Sequence, residues 1–176
     1  LTISYTVNLG THPNPMARLA LSYRNNSRAS EGECDKFRQY VPTYDLMAQG
    51  CYWNYLRVYV PRGAQLKEAA GADESFEASE ELGLTVFAAP LTLKPGEERT
   101  VILEYDLPSS IRSDGHYSLY LQKQAGSSAH PVQLIVLGAD GTSVVAENLN
   151  VLRSAERIEL VGDLKQDRQI TLEAGD

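Results

Sequence analysis

Helical patterning is the first thing this sequence lacks. Across its 176 residues, no window repeats apolar side chains at the three-and-four spacing of an amphipathic helix. The one short segment with helical propensity, Gln65 to Ala70, has no apolar stripe to bury. Long apolar runs are missing too, and none approaches the roughly eighteen residues that a membrane-spanning helix needs. Positive charge is scarce: 16 Lys and Arg against 23 Asp and Glu give a net charge of −7, and the basic residues are scattered singly. That argues against a surface for nucleic-acid phosphates. There is no HExxH, GxSxG, Walker A loop or GxGxxG, no internal repeat and no linker-like composition break. The chain also opens on Leu1 inside a strand pattern, so it reads as part of a larger protein with any targeting signal or anchor upstream.

What is present is period-two alternation. Ile3, Tyr5, Val7 and Leu9 share one face; so do Leu19, Leu21 and Tyr23, then Leu56, Val58 and Val60, then Val101, Leu103 and Tyr105, then Tyr117, Leu119 and Leu121. Further strand-like runs occupy 84–87, 132–137, 144–147, 157–161 and 169–173. Turn sequences separate them: Pro61-Arg62-Gly63, Lys94-Pro95-Gly96, Ser113-Asp114-Gly115 and Ala139-Asp140-Gly141, the last the strongest hairpin signal. This predicts an all-β chain, an antiparallel, loosely immunoglobulin-like β-sandwich of about ten strands. The expected organisation is a single domain over 1–176, with the residues after about 127 forming either the rest of that sandwich or a small appended unit.

Cys34 and Cys51 bracket a polar, aromatic segment with neither helical nor strand periodicity. A pair closing such an excursion reads as a disulfide, worth about 3 kcal/mol through loop closure. Two reduced, buried cysteines are the alternative. No metal or cofactor is expected, since nothing near the cysteines or near His12, His116 and His130 has ligand spacing.

Two segments carry a family likeness. Tyr52-Trp53-Asn54-Tyr55-Leu56-Arg57-Val58-Tyr59-Val60-Pro61-Arg62-Gly63-Ala64-Gln65-Leu66 and, downstream, Tyr117-Ser118-Leu119-Tyr120-Leu121-Gln122-Lys123-Gln124-Ala125-Gly126 resemble, in order and spacing, the C-terminal portion of the bacterial family called domain of unknown function 4012. The turn Leu93-Lys94-Pro95-Gly96-Glu97 before Val101–Pro108 falls between them, and the resemblance covers about Ser22 to Gly126. It implies a cell-envelope protein with an N-terminal membrane anchor outside this chain and supplies no catalytic residues. It also favours an extracytoplasmic setting, in keeping with a disulfide.

Candidate chemistry is sparse. Glu77, Glu80 and Glu81 lie in an acidic stretch most simply read as a solvated loop or edge strand. Asp35, Asp45 and the Asp114-Gly115 turn lack the spaced oxygen ligands of a calcium loop. Lys67, Lys94 and Lys123 sit in polar surroundings unsuited to a buried cross-link, and Gln122, Lys123 and Gln124 either donate to a ligand or cap a sheet edge. The group with most chemical promise is the second face of the signature strand: Trp53, Tyr55, Arg57 and Tyr59. The simpler reading makes this strand central and covered on both sides; the alternative leaves the face open to a ligand.

These readings combine into an expectation of a non-catalytic structural or interaction module outside the cytoplasm. Its partners would be other envelope proteins or glycans, not nucleic acid, with membrane contact only through an upstream anchor. A carbohydrate-binding module using the aromatic face, and part of an enzyme acting on envelope glycopolymers, are the alternatives.

Overall fold

A computed structural model describes residues 1–10, 14–27, 34, 43, 50–113, 116–138, 142–146, 149–154 and 157–174. The chain is all-β. Fourteen strands are present among the described residues, and the sole helical element is a single 3-10 turn at Ser109–Ile111. No helix among them is long and apolar enough to cross a membrane.

The strands are β1 (Thr2–Asn8), β2 (Met16–Arg24), β3 (Tyr52–Val60), β4 (Gln65–Ala70), β5 (Glu77–Glu81), β6 (Leu84–Leu93), β7 (Glu98–Asp106), β8 (Arg112–Ser113), β9 (His116–Leu121), β10 (His130–Leu137), β11 (Thr142–Ala146), β12 (Asn150–Ser154), β13 (Arg157–Leu164) and β14 (Arg168–Ala174). They form a seven-stranded sheet in the order β12-β13-β10-β1-β2-β7-β4, a four-stranded sheet β11-β14-β9-β8 and a three-stranded sheet β3-β6-β5. The inner side chains of all three join one hydrophobic cluster, from Val7, Leu103 and Leu134 of the large sheet to Phe87 and Leu91 of the smallest and Ile170 and Leu172 of the third. Contacts place the small sheets on the large one. Tyr23 of β2 meets Tyr52 of β3 at 6.2 Å between ring centroids, and Phe87 of β6 meets Tyr105 of β7 edge-on at 5.6 Å. Tyr5 of β1 meets Tyr117 of β9.

The alternating faces lie as expected in β1, β2, β7 and β9, with Tyr5, Val7, Leu21, Tyr23, Val101, Leu103, Tyr105 and Tyr117 all buried. Three expectations need correction. Gln65–Ala70 is a strand, held against β7 at the edge of the large sheet, because pairing outweighs a weak helical propensity with no stripe to support it. The sheets are mixed, since β1 runs parallel to β10, from Ile3 opposite Val132 to Asn8 opposite Leu137. And β10 and β11 do not form a hairpin. Residues 139–141 lie outside the described segments, but β10 is flanked by β1 and β13 while β11 pairs with β14 in another sheet.

Ser113 pairs with His116, so β8 and β9 run antiparallel as neighbours; residues 114–115 of the Ser113-Asp114-Gly115 turn sequence lie outside the described segments. Pro61-Arg62-Gly63 is a turn, closed by the Ala64 N–H donating to the Pro61 carbonyl at 3.0 Å; it carries the chain from β3 in the small sheet to β4 in the large one.

Candidate functional site

The signature strand β3 lies at the edge of the three-stranded sheet, with β6 as its neighbour. Its inner residues Leu56 and Val60 are buried, and Val58 packs half-buried against the core. On the outer side, Tyr55 is 57% and Tyr59 44% exposed; Arg57 is exposed and Trp53 half-buried. The reading of a central strand covered on both faces is therefore overturned. That role belongs to β6, where Thr85 through Ala89 are buried without alternation. A nearly continuous run of apolar and small residues suits a strand enclosed on both faces, whereas aromatic rings with polar tips suit an open one.

The outer face is built in three rails. On β3, Tyr55, Arg57 and Tyr59 stand opposite Pro90, Ala88 and Val86 of β6. On the far side of β6, Glu77 stands opposite Ala88, Ser79 opposite Val86 and Glu81 opposite Leu84. Small side chains on the central strand make a low floor between an aromatic rail and an acidic one. Arg57 spans it: its guanidinium pairs with the Glu81 carboxylate, two strands and about 10 Å of sheet away. The diagonal between them runs over Val86, which has no exposed surface although it points outward. The Arg57 Cζ also lies 5.3 Å from the centre of the Tyr59 ring, so one face of that ring is occupied by a cation. Tyr55 has no ring or cation contact among the described residues and is the most open aromatic on this face.

Glu81 is not legible in sequence as the partner of Arg57, because the acidic stretch and the aromatic strand are separate runs that only the pairing of both β3 and β5 with β6 brings together. The same holds for Tyr52 and Tyr23, which meet only when β3 packs on β2. Burial raises both phenols, Tyr23 to about 12, the latter with help from Tyr52. Past the other end of β3, Arg62 pairs with Glu80 of β5 at 3.4 Å.

The remaining candidates are dispersed. Cys34 and Cys51 are bonded, with Cα atoms 5.8 Å apart, which ties residue 34 to the start of β3. His12, Asp35, Asp45 and the Asp114-Gly115 turn lie outside the described residues. His116 is exposed at the start of β9 and His130 is half-buried at the start of β10. Among the described residues, no three His, Cys, Asp or Glu side chains converge as a metal site would require. Lys67 pairs with Asp106 at the surface at 2.8 Å, in keeping with its polar surroundings. Lys123 caps a turn, its ammonium donating to the carbonyls of Gln124 and Ser127 and to the Ser127 hydroxyl.

No family model and no curated protein matches the chain. Among solved structures it is similar to an M1 zinc metallopeptidase of Deinococcus radiodurans bound to a Tyr-Ser-Ala substrate, at 10% identity and a TM-score of 0.43, over 97% of this chain and 41% of that one. A two-domain M1 zinc metallopeptidase bound to L-tryptophan is similar at 9% identity and a TM-score of 0.43, over 98% and 41%. The chain thus spans about two fifths of the solved structures it matches. A likeness this distant transfers neither family nor activity.

Proposed function

We propose that this chain is a non-catalytic, extracytoplasmic interaction module of the cell envelope, and that its contact surface is the outer face of β3. The observation that carries this reading is the exposure of Tyr55 and Tyr59, with Arg57 between them, on an edge strand. Tyr and Arg are the residues that dominate binding energy at protein contacts, because each presents a large, stiff apolar body with a polar tip. The disulfide supports the compartment, since such bonds persist where the surroundings are oxidising.

A second reading, glycan binding, draws on the same rings. Stacking on a sugar needs a free ring face, and Arg57 already occupies one face of Tyr59. Tyr55 alone is left open, which favours a protein contact over a carbohydrate platform.

Emission from Trp53, the only tryptophan, reports on this face. The purified chain should neither cleave common envelope polysaccharides nor change its Trp53 emission when they are added. A saturable shift that disappears in Tyr59→Ala would replace the protein-contact reading with the carbohydrate one. Tyr55→Ala and Tyr59→Ala should also melt within a degree or two of wild type. A large loss of stability would mean that the rings hold the fold and are not kept for a partner.

A further inference from the structure

The geometry of Tyr59, Glu81 and the arginine between them is half repeated elsewhere on the same face. Tyr59 of β3 stands opposite Val86 of β6, and Glu81 of β5 stands opposite Leu84, two residues along β6. Four residues back along the sheet, Tyr55 stands opposite Pro90 and Glu77 opposite Ala88, again two residues along. Both Tyr–Glu pairs therefore lie on the same diagonal across β6, about 12 Å between Cα positions. A shift of four residues keeps every side chain on its own face of the sheet, so the second pair is an outward-facing copy of the first.

Only one of the two pairs is filled from within. Arg57 lies along the Tyr59–Glu81 diagonal, its guanidinium on the carboxylate and its Cζ 5.3 Å from the ring centre. The residue that would serve Tyr55 and Glu77 in the same way is four positions earlier, and it is Trp53, a half-buried ring with no charge. Arg57 is the only cation in β3, β5 and β6. Of the three carboxylates in β5, Glu81 pairs with Arg57, and Glu80, on the opposite face, pairs with Arg62. Ahead of β5, Asp73 is held by Arg99, and Glu74 also has a partner. Glu77 is exposed and has no partner among the described residues. Tyr55 is likewise exposed and without a ring or cation contact among them. The floor between the two is low, with Pro90 half-buried and Ala88 adding only a methyl group.

We propose that the Tyr55–Glu77 pair receives an arginine side chain from a separate protein partner, which lies over Pro90 as Arg57 lies over Val86. The inference rests on the reading of this face as a protein contact and names the chemistry that the contact selects. A planar guanidinium stacks on a phenol ring while its N–H groups reach a carboxylate, which a compact ammonium does less well. The unpaired Glu77 supplies the complementary charge, and a chain of net charge −7 draws a basic segment toward it.

The test follows the 15N-labelled chain during titration with N-acetyl-Gly-Arg-Gly-amide at fixed ionic strength. The backbone amides of Tyr55 and Glu77 should shift saturably. Glu77→Gln and Tyr55→Leu, both at exposed positions, should each weaken binding by about threefold or more. The peptide with citrulline, the neutral isostere, in place of arginine should not bind. Trp53→Arg supplies the cation from within β3 and should block the peptide; if that variant does not fold, Glu77→Gln decides the matter. Amides that do not shift overturn the proposal. So do shifts unchanged in Tyr55→Leu, which would reduce the effect to general attraction by an acidic surface. Equal binding of the citrulline peptide, or of N-acetyl-Gly-Lys-Gly-amide, overturns it as well. Self-association of wild type that is lost in Glu77→Gln would replace the separate partner with a second copy. These failures leave the contact face itself standing, since that reading falls instead to a glycan-dependent Trp53 shift abolished by Tyr59→Ala.

Discussion

The phenolic oxygens of Tyr5 and Tyr117 lie 3.3 Å apart in the interior, joining the centre of the large sheet to the four-stranded sheet above it. Tyr105 of β7 stands close enough to Tyr5 to perturb its ionisation, so three buried phenols meet where the sheets converge. Burial is the largest cause of the upward shift in each, and Tyr117 reaches about 12. A phenol held protonated in the folded chain but free to ionise in the unfolded one stabilises fully below about pH 10. That contribution is lost as the pH climbs toward and through the folded value. The chain should therefore unfold cooperatively between about pH 10 and 12, with tyrosinate absorbance from these residues rising together with loss of the circular dichroism signal. Titration of all ten tyrosines near pH 10 with the fold intact would contradict the arrangement.

Tyr117→Phe leaves the Tyr5 hydroxyl short of a partner inside the core. The expected loss is about 1–2 kcal/mol, read from urea unfolding at neutral pH. A neutral effect would mean that the hydroxyl contact contributes nothing.

The phase of β3 is testable independently of any ligand. Leu56→Ala should cost about 2–4 kcal/mol, since Leu56 is buried and its removal leaves a cavity between sheets. Val58→Asp should be at least as damaging, because it turns a carboxylate toward the core. If either melts like wild type, the aromatic face is the packed one.

Two glycines with similar backbone geometry should respond differently to the same change. Gly71 and Gly63 both have positive φ, +89° and +87°. A methyl group on Gly71 would collide with the backbone oxygen of Thr100 in β7, whereas one on Gly63 meets nothing within 4 Å. Gly63→Ala should cost about 1 kcal/mol from backbone strain alone. Gly71→Ala should cost roughly 2–4 kcal/mol, with the excess reporting the clash. Equal losses in chemical denaturation would rule out the close approach of residue 71 to β7.

Reduction of the Cys34–Cys51 bond releases a loop closed over a sequence separation of 17. The loss should be about 3 kcal/mol. A thiol titration of unfolded, unreduced protein should find no free sulfhydryl, and two would refute the bond.

The strands that the sequence concealed have a common position. The ten expected from alternation all exist, and the four that alternation does not mark are β4, β5, β8 and β12, each at the edge of its sheet; β5 is the edge strand that the acidic stretch offered as one of its two readings. Three of these, β4, β5 and β12, are exposed along nearly their whole length, so neither face selects apolar residues and the period-two signal never develops. Alternation likewise reveals which way a side chain points but not which strand lies beside it. The parallel pairing of β1 with β10, the failed hairpin after β10 and the reach of Arg57 to Glu81 all depend on neighbours distant in sequence. Composition does locate the aromatic face of β3, because a rail of Tyr, Arg and Tyr opposite Leu56, Val58 and Val60 is visible in any strand. Whether that rail is covered depends on what packs over it, which the strand's own pattern does not record. Arg168, buried at the start of β14, gives no warning of its burial, being one arginine among several until its phase in that strand is known.

The parallel seam between β1 and β10 also sets an order of events during synthesis. One edge of β1 can close at once against β2, about fifteen residues downstream, but the other waits for a strand whose first partner is Val132. At roughly 5–20 residues per second, the ribosome needs about 6–25 s to deliver it. For that interval the growing chain carries an open row of backbone donors and acceptors beside Tyr5 and Val7. Such an edge is a template on which a neighbouring nascent chain can add its own strand. The residue that ends the wait is more than a hundred positions away from the strand that needs it.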